Sequence, residues 1–208
     1  MNQEAREKVV IVGYGWVGQA NAIALTRTGY RVFFYDTAPT PTLHYLEDAV
    51  DSYGQIERAS SIGEVDGEST WFLVCVGDRV GENFEQDVSL IKGATDQLKQ
   101  VKGHVVLRST VLPQKLSDLS FEMYLPEFLH EKNAIEECIN PHFFVVGTRE
   151  YTVLPSFMKE WERRAYRVFK GTPEEASYVK YLSNIWNSVR IAFVNEMGDS
   201  MHTPKTKE

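Results

Sequence analysis

A chain of 208 residues with 43% apolar side chains has room for one domain, or one domain plus part of another, around a real core. Its formal charge of −7 argues against a nucleic-acid or anionic-membrane partner, because no overall field draws phosphates in. Two cysteines, Cys75 and Cys138, make no disulfide scaffold; no apolar run reaches the roughly 20 residues of a membrane span, and Met1 to Lys8 is polar and charged, without a signal-peptide pattern, so a cytoplasmic protein is expected.

The chain opens on a strand pattern, Val9–Val12, and runs into Gly13-Tyr14-Gly15-Trp16-Val17-Gly18. An Ala/Leu-rich helix, Val17–Thr28, follows and Gly29 can end it. A second strand, Arg31–Tyr35, delivers Asp36. Strand, Gly-x-Gly-x-x-Gly, helix, strand and acid in that order form the dinucleotide-binding fingerprint, with Asp36 close to the roughly 20 residues expected beyond the turn. Gly13 permits the turn, Gly15 lets a pyrophosphate approach the backbone, and Gly18 lets helix and strand pack closely. The helix N-terminus, at Trp16 and Val17, offers N–H groups and a positive dipole end. Asp36 can accept both ribose hydroxyls. A 2′-phosphate about 4 Å from that carboxylate meets a repulsion of roughly 4 kcal/mol at an effective dielectric of 20. Thr37 follows where an Arg could have rescued NADP, so NAD is the expected cofactor.

Further strands are expected at Thr70–Val76, His104–Arg108, Glu122–Tyr124, Phe143–Val146 and Tyr166–Phe169, and helices at Phe84–Gln100, Pro113–Leu119, Glu127–Cys138 and Glu150–Arg163. Several strands are solid apolar runs, which suits burial on both faces of a parallel sheet. The alternation predicts a Rossmann-like, doubly wound, mostly parallel α/β sheet. Cys75 reads as a buried core thiol. Thr172, Pro173, Glu174 and Glu175 start a long helix that runs to about Met197. Its apolar residues cover more than one face, so it needs a partner beyond its own sheet. The expected division is 1–172 for the cofactor domain, 173–197 for the long helix and 198–208 for a polar tail. His44, His104, His130, His142 and His202 form no close-spaced ligand pair, and no metal is expected.

Three later segments carry chemistry. They are Arg108-Ser109-Thr110-Val111-Leu112-Pro113, then Leu125-Pro126-Glu127-Phe128-Leu129-His130-Glu131-Lys132-Asn133-Ala134-Ile135, then Glu175 to Asn184 with Lys180 between. From Val9 to about Met197 the chain resembles the UDP-glucose/GDP-mannose dehydrogenase family, whose motifs occur in this order. That family oxidises the primary alcohol of a nucleotide sugar to a carboxylate with two NAD. The resemblance implies that Thr110 lies near the reacting carbon, that Glu127 holds the loop, and that Glu131 is the general base for thioester hydrolysis. Lys180 and Asn184 would stabilise the oxyanion at the sugar carbon. Val76, Ser109 and Thr110 would complete the cofactor contacts. Spacing agrees: Glu127 and Glu131 share a face if helical, and so do Lys180 and Asn184. A cation and an amide aimed at one oxyanion are the expected electrostatic pair. Plainer readings stand beside these: a solvated acid for Glu131, a surface lysine for Lys180, and a buried, satisfied amide for Asn184.

The pattern also departs from the family. Its nucleophilic cysteine, in Gly-Gly-x-Cys-x-Pro-Lys-Asp, has no counterpart here, and without that thiolate the second oxidation lacks a route. Leu125 replaces the motif's Asn, Val76-Gly77-Asp78-Arg79 replaces Val-Pro-Thr-Pro, and 37–62 lacks the expected substrate-loop pattern. Three readings follow. One is the cofactor-binding half of a nucleotide-sugar dehydrogenase, which a partner chain could complete. The second is a binding module for NAD or a nucleotide sugar that regulates or assembles without turnover. The third, a 6-phosphogluconate or hydroxyacyl-CoA type of dehydrogenase, is disfavoured by Pro126-Glu127-Phe128-Leu129. The apolar helix, the dimer core in the family, implies a homodimer or a partner chain.

Overall fold

The structure is a computed structural model that describes residues 7–150 and 152–201, with the backbone alone at Glu131. The first six residues and the end of the expected tail, 202–208, lie outside the described residues.

Strands β1 (Lys8–Val12), β2 (Arg31–Tyr35), β3 (Glu57–Arg58), β4 (Thr70–Val74), β7 (His104–Leu107), β8 (Met123–Tyr124), β9 (Phe143–Thr148) and β10 (Arg167–Gly171) build one sheet; β5 (Arg79–Val80) and β6 (Gln86–Asp87) form a separate hairpin. The sheet order is β10-β9-β8-β7-β4-β1-β2-β3. Pairing is parallel throughout except where β9 runs against β8, so β9 and β10 are reversed relative to the rest. Helices α1 (Trp16–Arg27), α2 (Leu46–Tyr53), α3 (Ile62–Val65), α4 (Ser89–Gln97), α5 (Ala134–Ile139), α6 (Ser156–Arg164) and α7 (Pro173–Ser200) complete it, with 3-10 turns at Pro113–Asp118 and Glu131–Asn133.

The two-residue period of the strands divides the core. Val9 and Ile11 of β1 face one side, with Ile23 and Leu25 of α1 and Phe157 and Trp161 of α6. Val10 and Val12 face the other, with Ile91 of α4, Leu116 and Ala176 of α7. Both faces are covered, which is why β1 and β4 read as unbroken apolar runs.

Several expected elements are corrected. The helix expected over Glu127–Cys138 is a loop, a 3-10 turn and then α5. Local bonds hold the loop open: the Glu127 carboxylate accepts Leu129 N–H at 2.7 Å, and that of Glu137 accepts His130 N–H at 2.6 Å. Glu127 and Glu131 therefore do not share a helix face. The helix expected from Phe84 begins at Ser89, because β5 and β6 take the preceding residues and Phe84 sits at φ +58°. The Asp87 carboxylate receives Ser89 N–H at 2.8 Å and marks the helix start. The helix expected over Glu150–Arg163 starts at Ser156, after Pro155. Residues 37–62 hold α2 and β3, which the sequence pattern did not announce.

The long helix α7 is set by a capping box, in which Thr172 Oγ1 accepts Glu175 N–H and the Glu175 carboxylate accepts Thr172 N–H. Its first turns pack on β9, β10 and the 3-10 turn after β7. From Asn184 to Ser200 every residue is exposed, Trp186, Val189 and Phe193 among them. The helix thus runs three residues into the stretch expected as tail.

Candidate functional site

Two cavities lie at the carboxyl ends of the parallel strands. The first opens where β1 has β2 on one side and β4 on the other, the switch point at which α/β sheets bind ligands. It encloses about 370 Å³ between Gly13, Tyr14, Gly15, Asp36, Thr37, Cys75, Val76 and Gly77, with Ser89, Leu90 and Ala94 of α4 as the far wall.

The three glycines differ in their reasons. Gly13 has φ +92°, and a Cβ there would stand 2.9 Å from Val76 Cγ2. A Cβ on Gly18 would stand 2.1 Å from the Gly13 carbonyl oxygen, so only glycine lets α1 meet its own turn this closely. Gly15 has nothing within 4 Å of its Cβ position: that space is open to a ligand. Gly15 is also the N-cap of α1, and no side chain caps the helix. A 12-residue helix therefore points uncapped N–H groups at the cavity.

Asp36 closes the far end. Its Oδ2 accepts Tyr14 N–H at 2.6 Å and its Oδ1 accepts Ala38 N–H at 2.7 Å. A carboxylate has about four lone-pair sites, so two remain for ribose hydroxyls. Open space at Gly15, an uncapped helix start and an acid with spare acceptors fit an NAD-type dinucleotide. Two supports went unforeseen. Buried Gln19 donates to the Tyr14 and Thr42 carbonyls and accepts from His44 N–H and the Tyr53 hydroxyl, tying the loop after Asp36 to α1. Arg58 of β3 donates to the carbonyls of Asp36, Ala38 and Pro39 and splints the same loop. Neither support had a signal in the sequence pattern, because their partners come from other elements.

Of the other expected cofactor residues, Val17 and Gly18 lie in the first turn of α1 but do not line this cavity, and Trp16, the first helical residue, stacks on His44 with ring centroids 4.0 Å apart. The Ser109 hydroxyl donates to the Val76 carbonyl at 2.6 Å and closes the floor between β4 and β7. The Thr110 carbonyl accepts from Gln86 Nε2 at 2.9 Å. Gln86 also accepts Leu112 N–H and reaches Tyr181 of α7, so it locks the hairpin to the end of β7.

The second cavity, of about 400 Å³, lies between the 125–130 loop, β9, α6 and α7. Lys180, Ser183 and Asn184 line one wall, and Phe128, Phe144 and Trp161 supply aromatic surface. Lys180 is 5% exposed, pairs with Glu127 at 3.1 Å and stands 5.1 Å from the Phe128 ring centre. It is therefore no surface lysine. Asn184 is exposed at the rim rather than buried. The side chain of Glu131 lies outside what the structure describes. Arg108, buried at the end of β7, reaches into this cavity and was not foreseen as a site residue. Its signals were a charge ending an apolar strand and its place at the head of the Arg108-to-Pro113 segment.

Cys75 and Cys138 are free and buried, and burial pushes both thiols up to about 12, against the pull of Arg108. Among the described residues no three His, Cys, Asp or Glu side chains gather as a metal set, and no helix is long and apolar enough to cross a membrane.

Fold and first cavity define a Rossmann-like dinucleotide-binding domain that ends in a long helix. Its relatives are sugar-nucleotide dehydrogenases: GDP-mannose 6-dehydrogenase of Pseudomonas putida is 24% identical over 92% of this chain, and UDP-glucose 6-dehydrogenase of Campylobacter jejuni 24% over 91%. The chain spans about half the length of these curated relatives, 52% and 55% respectively. Among solved structures, GDP-mannose dehydrogenase of Pseudomonas aeruginosa, in a ternary complex, superposes with a TM-score of 0.76 at 23% identity, covering 91% of this chain and 52% of its own. UDP-glucose dehydrogenase of Pyrobaculum islandicum gives 0.78 at 23%, covering 95% and 54%. No protein-family model matches the chain. The resemblance carried by the three motifs thus extends over nearly the whole sequence.

Proposed function

We propose that this chain is the NAD-binding half of a nucleotide-sugar dehydrogenase of the UDP-glucose/GDP-mannose type. The observation that carries the reading is the open, uncapped start of α1 at Gly15, with the Asp36 carboxylate at the far end of the same cavity. Gly13 to Gly18 would take the pyrophosphate, Asp36 the adenosine ribose, and Val76, Ser109 and Thr110 would border the nicotinamide. NAD, when bound, accepts the electron pair of the oxidation. Lys180, held by Glu127, and Asn184 would donate to the oxygen of the reacting sugar carbon, and Glu131 would serve as the general base on water. The exposed apolar length of α7 is the surface through which a second copy, or a chain supplying a nucleophilic thiol, would join. Calorimetry with NAD and NADP tests the cofactor: NAD binds and NADP binds at least tenfold more weakly. Equal affinities refute the role of Asp36. Incubation with NAD and UDP-glucose or GDP-mannose, with and without the C-terminal half of a relative, tests the reaction, and no NADH in any combination counts against it.

A second reading, a binding module without turnover, is favoured by one observation: Cys75 and Cys138 are both buried, and burial pushes their thiols up, away from the thiolate form that would attack a sugar aldehyde. Turnover by the chain alone would exclude it.

A further inference from the structure

Arg58 ends β3, the short strand at the edge of the sheet, where parallel pairing sets it beside Phe34 of β2. It is exposed and forms no part of the first cavity's wall. Its guanidinium nevertheless donates to three carbonyls of one loop: Asp36 at 3.0 Å, Ala38 at 2.6 Å and Pro39. Glu57, its neighbour on β3, pairs with Arg31 instead, so the Arg58 cation is spent on backbone. Ala38 is gripped twice, because its carbonyl accepts from Arg58 while its N–H donates to Asp36 Oδ1 at 2.7 Å. Asp36 Oδ2 accepts Tyr14 N–H, the Tyr14 ring stacks on Phe34 with centres 3.9 Å apart, and the Phe34 ring centre lies 5.7 Å from Arg58 Cζ. The contacts close a circuit that starts and ends at Arg58 and has the Asp36 carboxylate within it.

We propose that Arg58 is a positioning residue that sets the coenzyme preference through Asp36. The proposal rests on the NAD-binding function proposed above. Arg58 acts on the loop rather than on the coenzyme: its planar fork spans several carbonyls at once and fixes the backbone that carries the carboxylate. Asp36 discriminates only while that carboxylate stands where a 2′-phosphate would have to lie. On a slack loop it loses its hold on the ribose hydroxyls and can swing away from a phosphate, so NAD affinity falls and NADP affinity is spared. A cation acting only through its field predicts the reverse. Its removal would weaken the more anionic NADP most, and solvent and salt would keep the effect small at an exposed site.

The test is calorimetry of the full chain and of R58A, R58Q and R58K with NAD and with NADP, together with hydrogen exchange of the Ala38 amide followed by NMR. R58A is expected to lose about fivefold in NAD affinity, the order of one net hydrogen bond. Its NADP affinity should fall by less than about twofold, so the preference narrows. R58Q, neutral but still a donor, should keep part of the preference, and so should R58K. The Ala38 N–H should exchange about tenfold faster in R58A, because its hold on Asp36 is loosened. A preference unchanged in R58A, an NADP affinity that falls more than that for NAD, or an unmoved Ala38 exchange rate overturns the proposal. If R58A does not fold, R58Q carries the same comparison. Wild type that prefers NAD, with R58A unchanged, sinks the role of Arg58 and leaves the NAD reading standing. Wild type that binds neither coenzyme sinks the NAD reading and the role of Arg58 with it.

Discussion

The same substitution at two glycines should have opposite effects. In Gly18→Ala the new methyl would stand 2.1 Å from the Gly13 carbonyl oxygen and 3.1 Å from Ile11 Cγ2. The oxygen belongs to backbone in a turn where Gly13 already sits at φ +92°, so it cannot swing aside as a side chain would. Overpacking of this kind costs about 3 kcal/mol at the upper end of its usual range. Alanine returns about 1 kcal/mol of helix propensity, leaving a net loss of roughly 2 kcal/mol. For a domain of this size each kcal/mol moves Tm by about 2–4 °C, so Gly18→Ala should melt roughly 4–8 °C lower. Gly93 in α4 has nothing within 4 Å of its Cβ position, and Gly93→Ala should gain about 0.5–1 kcal/mol. Differential scanning calorimetry of both variants is the assay. If Gly18→Ala melts at or above wild type, the close approach of α1 to its turn is not as described and the account of the cofactor cavity fails with it.

Lys180→Met should strand the Glu127 carboxylate, which is 17% exposed, and cost about 3 kcal/mol in urea unfolding; adding Glu127→Gln should recover part of that. A single variant as stable as wild type would show that the pair is not formed. Cys75 and Cys138, with thiols pushed up by burial, should resist Ellman's reagent at about pH 8 until the chain unfolds. Rapid labelling of the native protein would contradict their burial. Asp66 is opposed by desolvation but accepts three backbone N–H groups, from Gly67, Lys102 and Gly103, and its pKa is lowered on balance. A folded pKa below the unfolded value of about 3.9 stabilises above that value and is lost as pH falls through the folded one. Asp66→Asn should therefore be less stable than wild type near neutrality and flatten the acid limb of stability against pH. An unchanged limb would refute the role of these bonds.

What the sequence made legible followed from periodicity and from motifs whose geometry is local. Val9–Val12, the glycine turn and Asp36 specify one strand–turn–helix–strand unit, and no distant contact is needed to read it. The start of α7 was legible for the same reason, since a capping box lies within four residues. The loop after Pro126 was not. Its Glu and Leu residues have good helix propensity, and what prevents a helix is a carboxylate that bonds its own backbone, a competition invisible in composition. The hairpin β5–β6 escaped because it is held by Gln86, whose partners Thr110, Leu112 and Tyr181 are remote in sequence. Lys180 shows the same limit. Nothing around it in α7 says that it faces inward, because its partner Glu127 comes from another element.

The two cavities are joined by the seam between β4 and β7, and that seam explains why the chemistry would fall where the motifs put it. Cys75 faces the first cavity, while Arg108 reaches the second. The Ser109 hydroxyl, bonded to the Val76 carbonyl, holds the two strand ends together between them. Thr110 follows immediately, with its carbonyl fixed by Gln86. A dinucleotide lying along the first cavity, its diphosphate on α1, would bring its far ring to this seam, and a ligand anchored in the second would reach the same place from the opposite side. The floors of both cavities lie at the carboxyl ends of parallel strands, β1 and β4 for the first and β7 and β8 for the second, so one sheet sets their spacing. Positioning of this sort is the part of catalysis that a rigid scaffold supplies most cheaply. It also makes Ser109→Ala informative: loss of the hydroxyl bond to the Val76 carbonyl should loosen the seam and weaken NAD binding, whereas unchanged NAD affinity in calorimetry would show that this bond does not shape the first cavity.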